Sequence, residues 1–452
     1  MASAEKQDID KLVWEATFNP DQKTAEECRH LIRKAAAEQG IVLSSIYDFY
    51  KKKAKDKRQV SIPAINVRGM AYNTGRAVFE AANSDKVKAM ILEIARSEIG
   101  YTAQQPKEYA ASIMAAAVKE GYSGPLFLQG DHFQMPDEEY LKNPDQKREK
   151  IKALIREAIE AGFYQVDLDM STLVDWSGAD FDAQQRNNCR ETAILTAYVR
   201  DLEKELGLDK AGIVINLGGE IGEIGKTIEG RNSIVQDLRA FMKGYYKELE
   251  ILSKEKGYKM EGITKIAVQS GTKHGGIRDE KGNLVKKVKV SFNTLAELGK
   301  IAREEYGLAG VVQHGASTLD PRCYVLFAGR PAPQGFEISE DLLTKENAEI
   351  LAENPVAEVH LATAYQDTIL DHPAFPKDLA AKIKDWVLSN FPPKEGEDPE
   401  KAYISNRKRA WGPFKREVWS LPEAVQDAIR QTLKDQFSRD VFSNLGVQNF
   451  KF

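Results

Sequence analysis

The stretch "PLFLQGDHFQ", residues 125–134, decides how this chain is read. An apolar run from Pro125 to Leu128 reaches Gly130, and a carboxylate and an imidazole follow at once as Asp131 and His132. A run with no polar alternation is a strand covered on both faces, the habit of a parallel sheet wrapped in helices. A strand of that kind that ends in groups suited to proton and metal chemistry points to a site built at the strand ends.

Seven more short, β-branched runs share the pattern. They are "SIPAIN" (61–66), "KAMILEIA" (88–95), "FYQVDL" (163–168), "GIVINL" (212–217), "ITKIAV" (263–268), "AGVVQH" (309–314) and "VAEVHLA" (356–362). Between them lie amphipathic segments such as "QKREKIKALIREAIEAG" (146–162), with apolar residues three and four apart and a closing glycine. Eight strand–helix units predict an α/β fold, a (β/α)8 barrel. An open doubly wound sheet is the alternative, but "NVRGMAYNTG" (66–75) lacks the glycine-rich phosphate turn that such a sheet carries after its first strand. We expect an N-terminal helical extension over 1–58, with "TAEECRHLIRKAAAEQG" (24–40) as a helix capped by Thr24 that packs outside the barrel or plugs its bottom. The catalytic barrel then spans 59–376, and a helical C-terminal segment, 377–452, packs on it. That segment is interrupted by the exposed loop "NFPPKEGEDPEKAY" (390–403).

Composition excludes several classes. The chain has 452 residues, with 64 Lys+Arg against 68 Asp+Glu and a net charge of −4. That balance is wrong for a protein held to nucleic acid by bulk charge. No stretch approaches the roughly 20 apolar residues of a membrane span, and the start "MASAEKQDID" has no apolar signal core. The 3 cysteines lie far apart and form no metal or disulfide framework. The expected location is the cytoplasm.

Active sites of such barrels lie at the C-terminal ends of the strands. The run ends supply Asn66, Arg96, Asp131 with His132, Asp167 with Asp169, Glu220, His274, His314 and His360, so 4 of the 6 histidines fall there. His132, His274 and His314 converging from three strands would make a three-imidazole site with an open position, the pattern of catalytic zinc. In "SGTKHGG" (270–276) and "QHGAST" (313–318) a glycine follows the histidine. Glycine there lets backbone amides approach a phosphate; a tight strand-to-helix turn asks for the same residue. "GGEIGEIGKTIEG" (218–230) places Glu220, Glu223 and Glu229 in a glycine-rich loop, where one can support a metal and another can carry a proton.

With these residues in view, the chain resembles the class II, metal-dependent ketose-bisphosphate aldolases, typified by fructose-1,6-bisphosphate aldolase. "IPAINV" resembles that family's first strand. "QGDHFQ" resembles its Asp-His pair, and "QVDLDMS" its strand-4 aspartate motif. "GEIGEIG" resembles its glutamate loop, while "GTKHGG" and "QHGAST" resemble its other two zinc-histidine motifs. The likeness covers roughly residues 60 to 370. It implies a Zn²⁺ enzyme, with Co²⁺ or Mn²⁺ as substitutes and a monovalent cation as a further expectation, that cleaves the C3–C4 bond of a ketohexose bisphosphate. Zinc would polarise the ketose carbonyl, and Asp131 would handle the C4 hydroxyl proton. His132, His274 and His314 would hold zinc, with Glu220 and Asp167 on the metal side. Glu229 would be the mobile proton carrier, although the loop is one residue off the family's spacing. Asn66, Arg96, Gly275, Gly315, Ser317 and Thr363 would bind the phosphorylated substrate. A homo-oligomer, dimer or tetramer, working in glycolysis is part of the same expectation.

The departures lie in the last strand and the second. Where the family reads Asn-Ile-Asp-Thr, this chain has His360-Leu361-Ala362-Thr363, and Ala95 stands where a serine is usual. His360 is therefore the expected group near the reacting hydroxyls. A 4-epimerase working by retro-aldol and aldol steps, a tagatose-bisphosphate aldolase and a non-catalytic metal-binding descendant are the alternatives. The basic-aromatic stretch "SNRKRAWGPFKREVW" (405–419) either closes over a distal phosphate or forms a solvated helix start or subunit contact.

Overall fold

The structure is a computed structural model that describes residues 8–56, 58–222, 231–272 and 290–450. Eight parallel strands close into a barrel. They are β2 (Ile62–Asn66), β3 (Ile91–Ala95), β4 (Gly124–Gln134), β5 (Gln165–Asp169), β6 (Asn216–Glu220), β7 (Lys265–Ala267), β8 (Val311–Gln313) and β9 (Val356–Leu361). Neighbours in sequence are neighbours in space, and β9 returns to β2 through the pairing of Ile62 with Glu358. Each expected run overlaps a strand, although "GIVINL" (212–217) meets β6 only at Asn216 and Leu217. A ninth, β1 (Ile41–Leu43), pairs in parallel with the start of β4 and was not among the runs. Its 3 residues carry too little pattern to be seen.

Two elements differ from expectation for local reasons. The helix Gln22–Glu38 is capped by Asp21, whose carboxylate accepts from the amides of Lys23 and Thr24, so the cap is not Thr24. A carboxylate at that place also complements the helix dipole. Strand β4 continues past Gly130 to Gln134, with a register shift between Gly130 and Phe133 against β5.

The N-terminal helices Ile9–Phe18 and Gln22–Glu38 pack on each other and on the barrel helix Pro106–Lys119. The short helix Tyr47–Lys53 reaches under the barrel instead. There the Tyr50 hydroxyl meets Glu358 inside it, and Lys53 is buried against the carbonyl of Val60. The C-terminal segment travels from top to bottom. Its helix Glu423–Gln436 lies on the barrel helix Ala71–Asp85, and Leu445 accepts a bond from the amide of Ser61 at the foot of β2. Among the described residues no helix is long and apolar enough to cross a membrane.

Candidate active site

The top of β4 explains the opening motif. In a regular strand Asp131 and His132 would point to opposite faces. Here the register shift and a left-handed backbone at His132, with φ of 43°, turn both side chains into the same cavity. A non-glycine residue held there costs on the order of 1–3 kcal/mol, a strain that clusters at functional sites. Gly130 is needed for the same turn: a Cβ on it would lie 2.4 Å from the ring of Phe133.

The cavity has a volume of about 220 Å³ at the C-terminal end of the barrel. Around it the structure gathers Asn66, Arg96, Asp131, His132, Glu220, Gly315, His314, Ser317, His360 and Thr363, all singled out from the sequence. His274, Gly275 and Glu229 lie outside the described residues, as does Glu223.

His132 and His314 face each other. The Nε2 atom of His132 lies 3.1 Å from Nδ1 of His314, and 3.6 Å from Oδ1 of Asp131. The other nitrogen of His132, Nδ1, donates to Asp169 at 2.8 Å and lies 3.2 Å from Glu220. A carboxylate on Nδ1 fixes the proton there and leaves Nε2 as a lone pair, which is how metal-binding imidazoles are oriented. Asp169 is itself held by Gln134 and by the amide and hydroxyl of Ser171. Glu220 therefore sits behind the His132 ring, on its Nδ1 side, away from His314.

Asp131 is gripped from one side only. Its Oδ2 accepts from the Asn66 amide at 2.9 Å, and the same amide donates to Glu98 at 3.1 Å. Its Oδ1 has no hydrogen-bond partner and lies 3.3 Å from Nδ1 of His360. Burial would raise the Asp131 pKa, but His132 and His360 beside it hold it well below the usual carboxylate range. Glu220 is pushed up to about 8, by burial first and then by the charge of Asp169.

His360 sits within β9 rather than past its end, and Asp167 lies within β5. Asp167 does not reach the His132–His314 pair. It pairs with Lys265 at 2.9 Å, in a buried layer beneath the cavity that also holds Glu93, Gln129 and Glu358. The Nε2 of His360 bonds Glu358 at 2.6 Å, so this side chain bridges the layer and the cavity. Sequence reasoning passed over Glu93, Glu358 and Lys265. The signal was a charged residue at the centre of an apolar run, in "MILEIA", "VAEVHLA" and "ITKIAV", where alternation faces it into the barrel.

The donor set fits a divalent metal. Two nitrogens, each about 2.0–2.1 Å from a tetrahedral ion, stand about 3.3 Å apart; the observed pair stands at 3.1 Å. Beside that pair, 3.6 Å from Nε2 of His132, Oδ1 of Asp131 is a buried lone pair with no hydrogen-bond partner.

The model of the "Fructose-bisphosphate aldolase class-II" family matches residues 49–370. The chain belongs to this family. It is thus an enzyme of the metal-dependent carbon–carbon lyase class, and the family implies a phosphorylated sugar as substrate. Two solved structures agree on the fold, and a third is also similar. A probable tagatose 6-phosphate kinase from Sinorhizobium meliloti 1021 is 14% identical, with a TM-score of 0.56 over 85% of this aldolase-family chain and 100% of its own. A fructuronate-tagaturonate epimerase from Cohnella laeviribosi is 14% identical, with a TM-score of 0.52 over 86% of this chain and 82% of its own. A fructose-bisphosphate aldolase from Campylobacter jejuni is 15% identical, with a TM-score of 0.47 over 91% of this chain and 97% of its own. No curated protein matches the chain.

Proposed function

We propose that the chain is a zinc-dependent aldolase that cleaves the C3–C4 bond of a ketohexose bisphosphate, fructose 1,6-bisphosphate first, by retro-aldol chemistry. The observation that carries the reading is the facing pair of His132 and His314 nitrogens, 3.1 Å apart, with the free Oδ1 of Asp131 beside them. His274, in the matching motif, supplies the third imidazole. Imidazole ligands suit zinc, with Co²⁺ or Mn²⁺ as substitutes.

When bound, the metal supplies Lewis acidity at the ketose carbonyl. The chain's own groups do the rest. Asp131 accepts the C4 hydroxyl proton through Oδ1, while Asn66 holds Oδ2 and fixes the carboxylate's direction. His360, whose Nδ1 lies 3.3 Å from the same Oδ1, steadies its negative charge. Arg96, Gly315, Ser317 and Thr363 line the cavity and hold a phosphate. Glu229, which follows β6 in the sequence, returns a proton to the released triose.

A second reading, a 4-epimerase on the same site, has one observation in its favour. Carboxyl groups stand on both sides of the His132 ring, Asp131 at Nε2 and Glu220 at Nδ1. Both line the cavity, so one can take the C4 hydroxyl proton before the C3–C4 bond breaks and the other can return a proton to the aldehyde oxygen once the aldehyde has rotated and the bond re-forms. Incubating the zinc-loaded protein with ketohexose mono- and bisphosphates, and resolving triose products from epimers, decides between the two. Trioses support the aldolase. A C4 epimer without free trioses replaces it with the epimerase.

A further inference from the structure

The aromatic residues of 405–419 lead away from the strand ends. Trp411 lies against Gly69, where a Cβ would come within 2.5 Å of its ring. Trp419, at the end of the stretch, stacks on Tyr72 with ring centres 6.4 Å apart, and meets Phe18 edge-on at 5.3 Å. Trp14 lies 4.5 Å from the same Phe18 ring. These rings border a second cavity of about 320 Å³, which shares no lining residue with the one at the barrel top. Its walls come from three pieces of chain: the helix Ile9–Phe18, the barrel helix Ala71–Asp85, and the C-terminal segment from Trp419 to Arg430. The first and the last lie outside residues 49–370, which the family model matches, so this cavity is a product of the chain's own extensions.

Most charges of the lining are engaged with one another. Asp10 accepts from the Tyr72 hydroxyl at 2.6 Å and pairs with Lys119 at 2.5 Å. Arg430 gives its three nitrogens to Glu80 at 2.8 Å, Asn73 at 2.7 Å and Asp427 at 2.5 Å. Two groups are left over. Arg76 gives only its Nε, to Glu120 at 2.5 Å, so both Nη atoms are without a hydrogen bond among the described residues. Its side chain is only 17% exposed, with the guanidinium 5.8 Å from the centre of the Tyr72 ring. Glu423 lines the cavity and has no ion pair among the described residues. The indoles of Trp14 and Trp419 are half-buried, so each keeps a part of its ring uncovered. One base, one acid and two incompletely covered indoles around one hollow describe a place for a small molecule with a flat ring and both charges.

We propose that this second cavity binds an aromatic α-amino acid. The side-chain ring lies against Trp14 and Trp419, where offset or edge contacts between aromatic rings are favourable. The α-carboxylate takes the two Nη atoms of Arg76, because a planar guanidinium presents its N–H groups as a fork that matches two carboxylate oxygens. The ammonium pairs with Glu423. Charge balance selects the zwitterion over a phosphorylated ligand. Asp10, Glu423 and Asp427 offset Arg76, Lys119 and Arg430, so the lining has no surplus positive charge for a dianion. A zwitterion adds none.

The test is calorimetric titration of the full chain with L-phenylalanine, L-tyrosine and L-tryptophan, which needs no turnover and so stands apart from the assigned reaction. At least one of them should bind at a single site. 3-Phenylpropionate lacks the ammonium and phenethylamine lacks the carboxylate, and each should bind about 10-fold more weakly or worse than the amino acid, the usual cost of losing a charged hydrogen bond. Arg76→Gln should weaken the amino acid by about 10-fold or more, and Glu423→Gln by about 3- to 10-fold. Glu423 is exposed at a helix start, so its variant keeps the test open should Arg76→Gln fail to fold. Binding by none of the three amino acids at millimolar concentration overturns the site. So does an affinity equal to wild type in the folded variants, or a half-ligand that binds as tightly as the amino acid.

Discussion

The upper and lower layers of the barrel interior use nearly the same side chains to opposite ends. The lower layer holds Glu93, Gln129, Lys265 and Glu358, all fully buried. Its groups satisfy one another. The Gln129 amide donates to Glu93 and to Glu358, both at 2.7 Å, and its oxygen accepts from Lys265 at 2.8 Å. Lys265 also meets Glu358 and Asp167. Two oxygens there lack a hydrogen bond, Oε1 of Glu93 and Oδ1 of Asp167, and each faces a basic side chain, His360 at 3.1 Å and Lys265 at 2.9 Å. The upper layer is arranged the other way. Its rings and carboxylates are aimed at an open cavity, and Oδ1 of Asp131 has no hydrogen bond. Buried charge alone therefore does not mark the reacting groups. What marks them is a lone pair left for a partner that the chain does not supply.

The sharpest way to break this contrast is to remove an imidazole. His132→Ala or His314→Ala should abolish metal retention through dialysis, because each removes one of two facing nitrogens. Elemental analysis that finds wild-type metal in both variants would sink the site. Next comes the acid. Asp131→Ala should keep its metal and lose roughly 10²- to 10⁴-fold in turnover, the range for a general acid or base. A variant that loses metal but recovers full activity on reconstitution has Asp131 in the wrong role.

The lower layer should answer in stability rather than chemistry. Lys265→Met leaves the carboxylates of Glu358 and Asp167 buried without their cation. Breaking one partner of such a pair costs about 3–5 kcal/mol, read as a lower denaturation midpoint. Adding Glu358→Gln should recover part of the loss. A single variant as stable as the wild type would mean that the layer is wetter or less coupled than its distances imply.

How much of this was legible beforehand follows the same division. The barrel was readable because each strand is a short apolar run and each helix an amphipathic one. The upper layer was readable because its residues stand at the ends of those runs. The lower layer was not, since Glu93 and Glu358 interrupt apolar runs that were read as uniform. Asp167 and Asp169 were both noticed, and only the register of β5 assigns them to different layers: Asp167 goes to Lys265, and Asp169 to His132. Where 405–419 packs was equally out of reach, because the contact of Trp411 with Gly69 joins residues far apart in sequence.

Asp169 gives the smallest expected effect and the finest test. It lies between the layers in function: it touches no substrate, yet it orients a ring that would hold metal. Its Oδ2 accepts from Nδ1 of His132 at 2.8 Å and from Gln134 at 2.8 Å, and its Oδ1 accepts from Ser171. Asp169→Asn keeps the size and the bonds to one oxygen, but it offers His132 a neutral partner or a competing N–H. The ring then loses its reason to keep the proton on Nδ1 and the lone pair on Nε2. Partners of this kind are worth about 10- to 100-fold in metal affinity. The expected outcome is a metal dissociation constant raised by that factor, with turnover at saturating metal changed much less and the denaturation midpoint close to wild type. If affinity is unchanged, Glu220 on the same nitrogen suffices to orient His132. The double variant Asp169→Asn/Glu220→Gln should then show the loss that the single one did not.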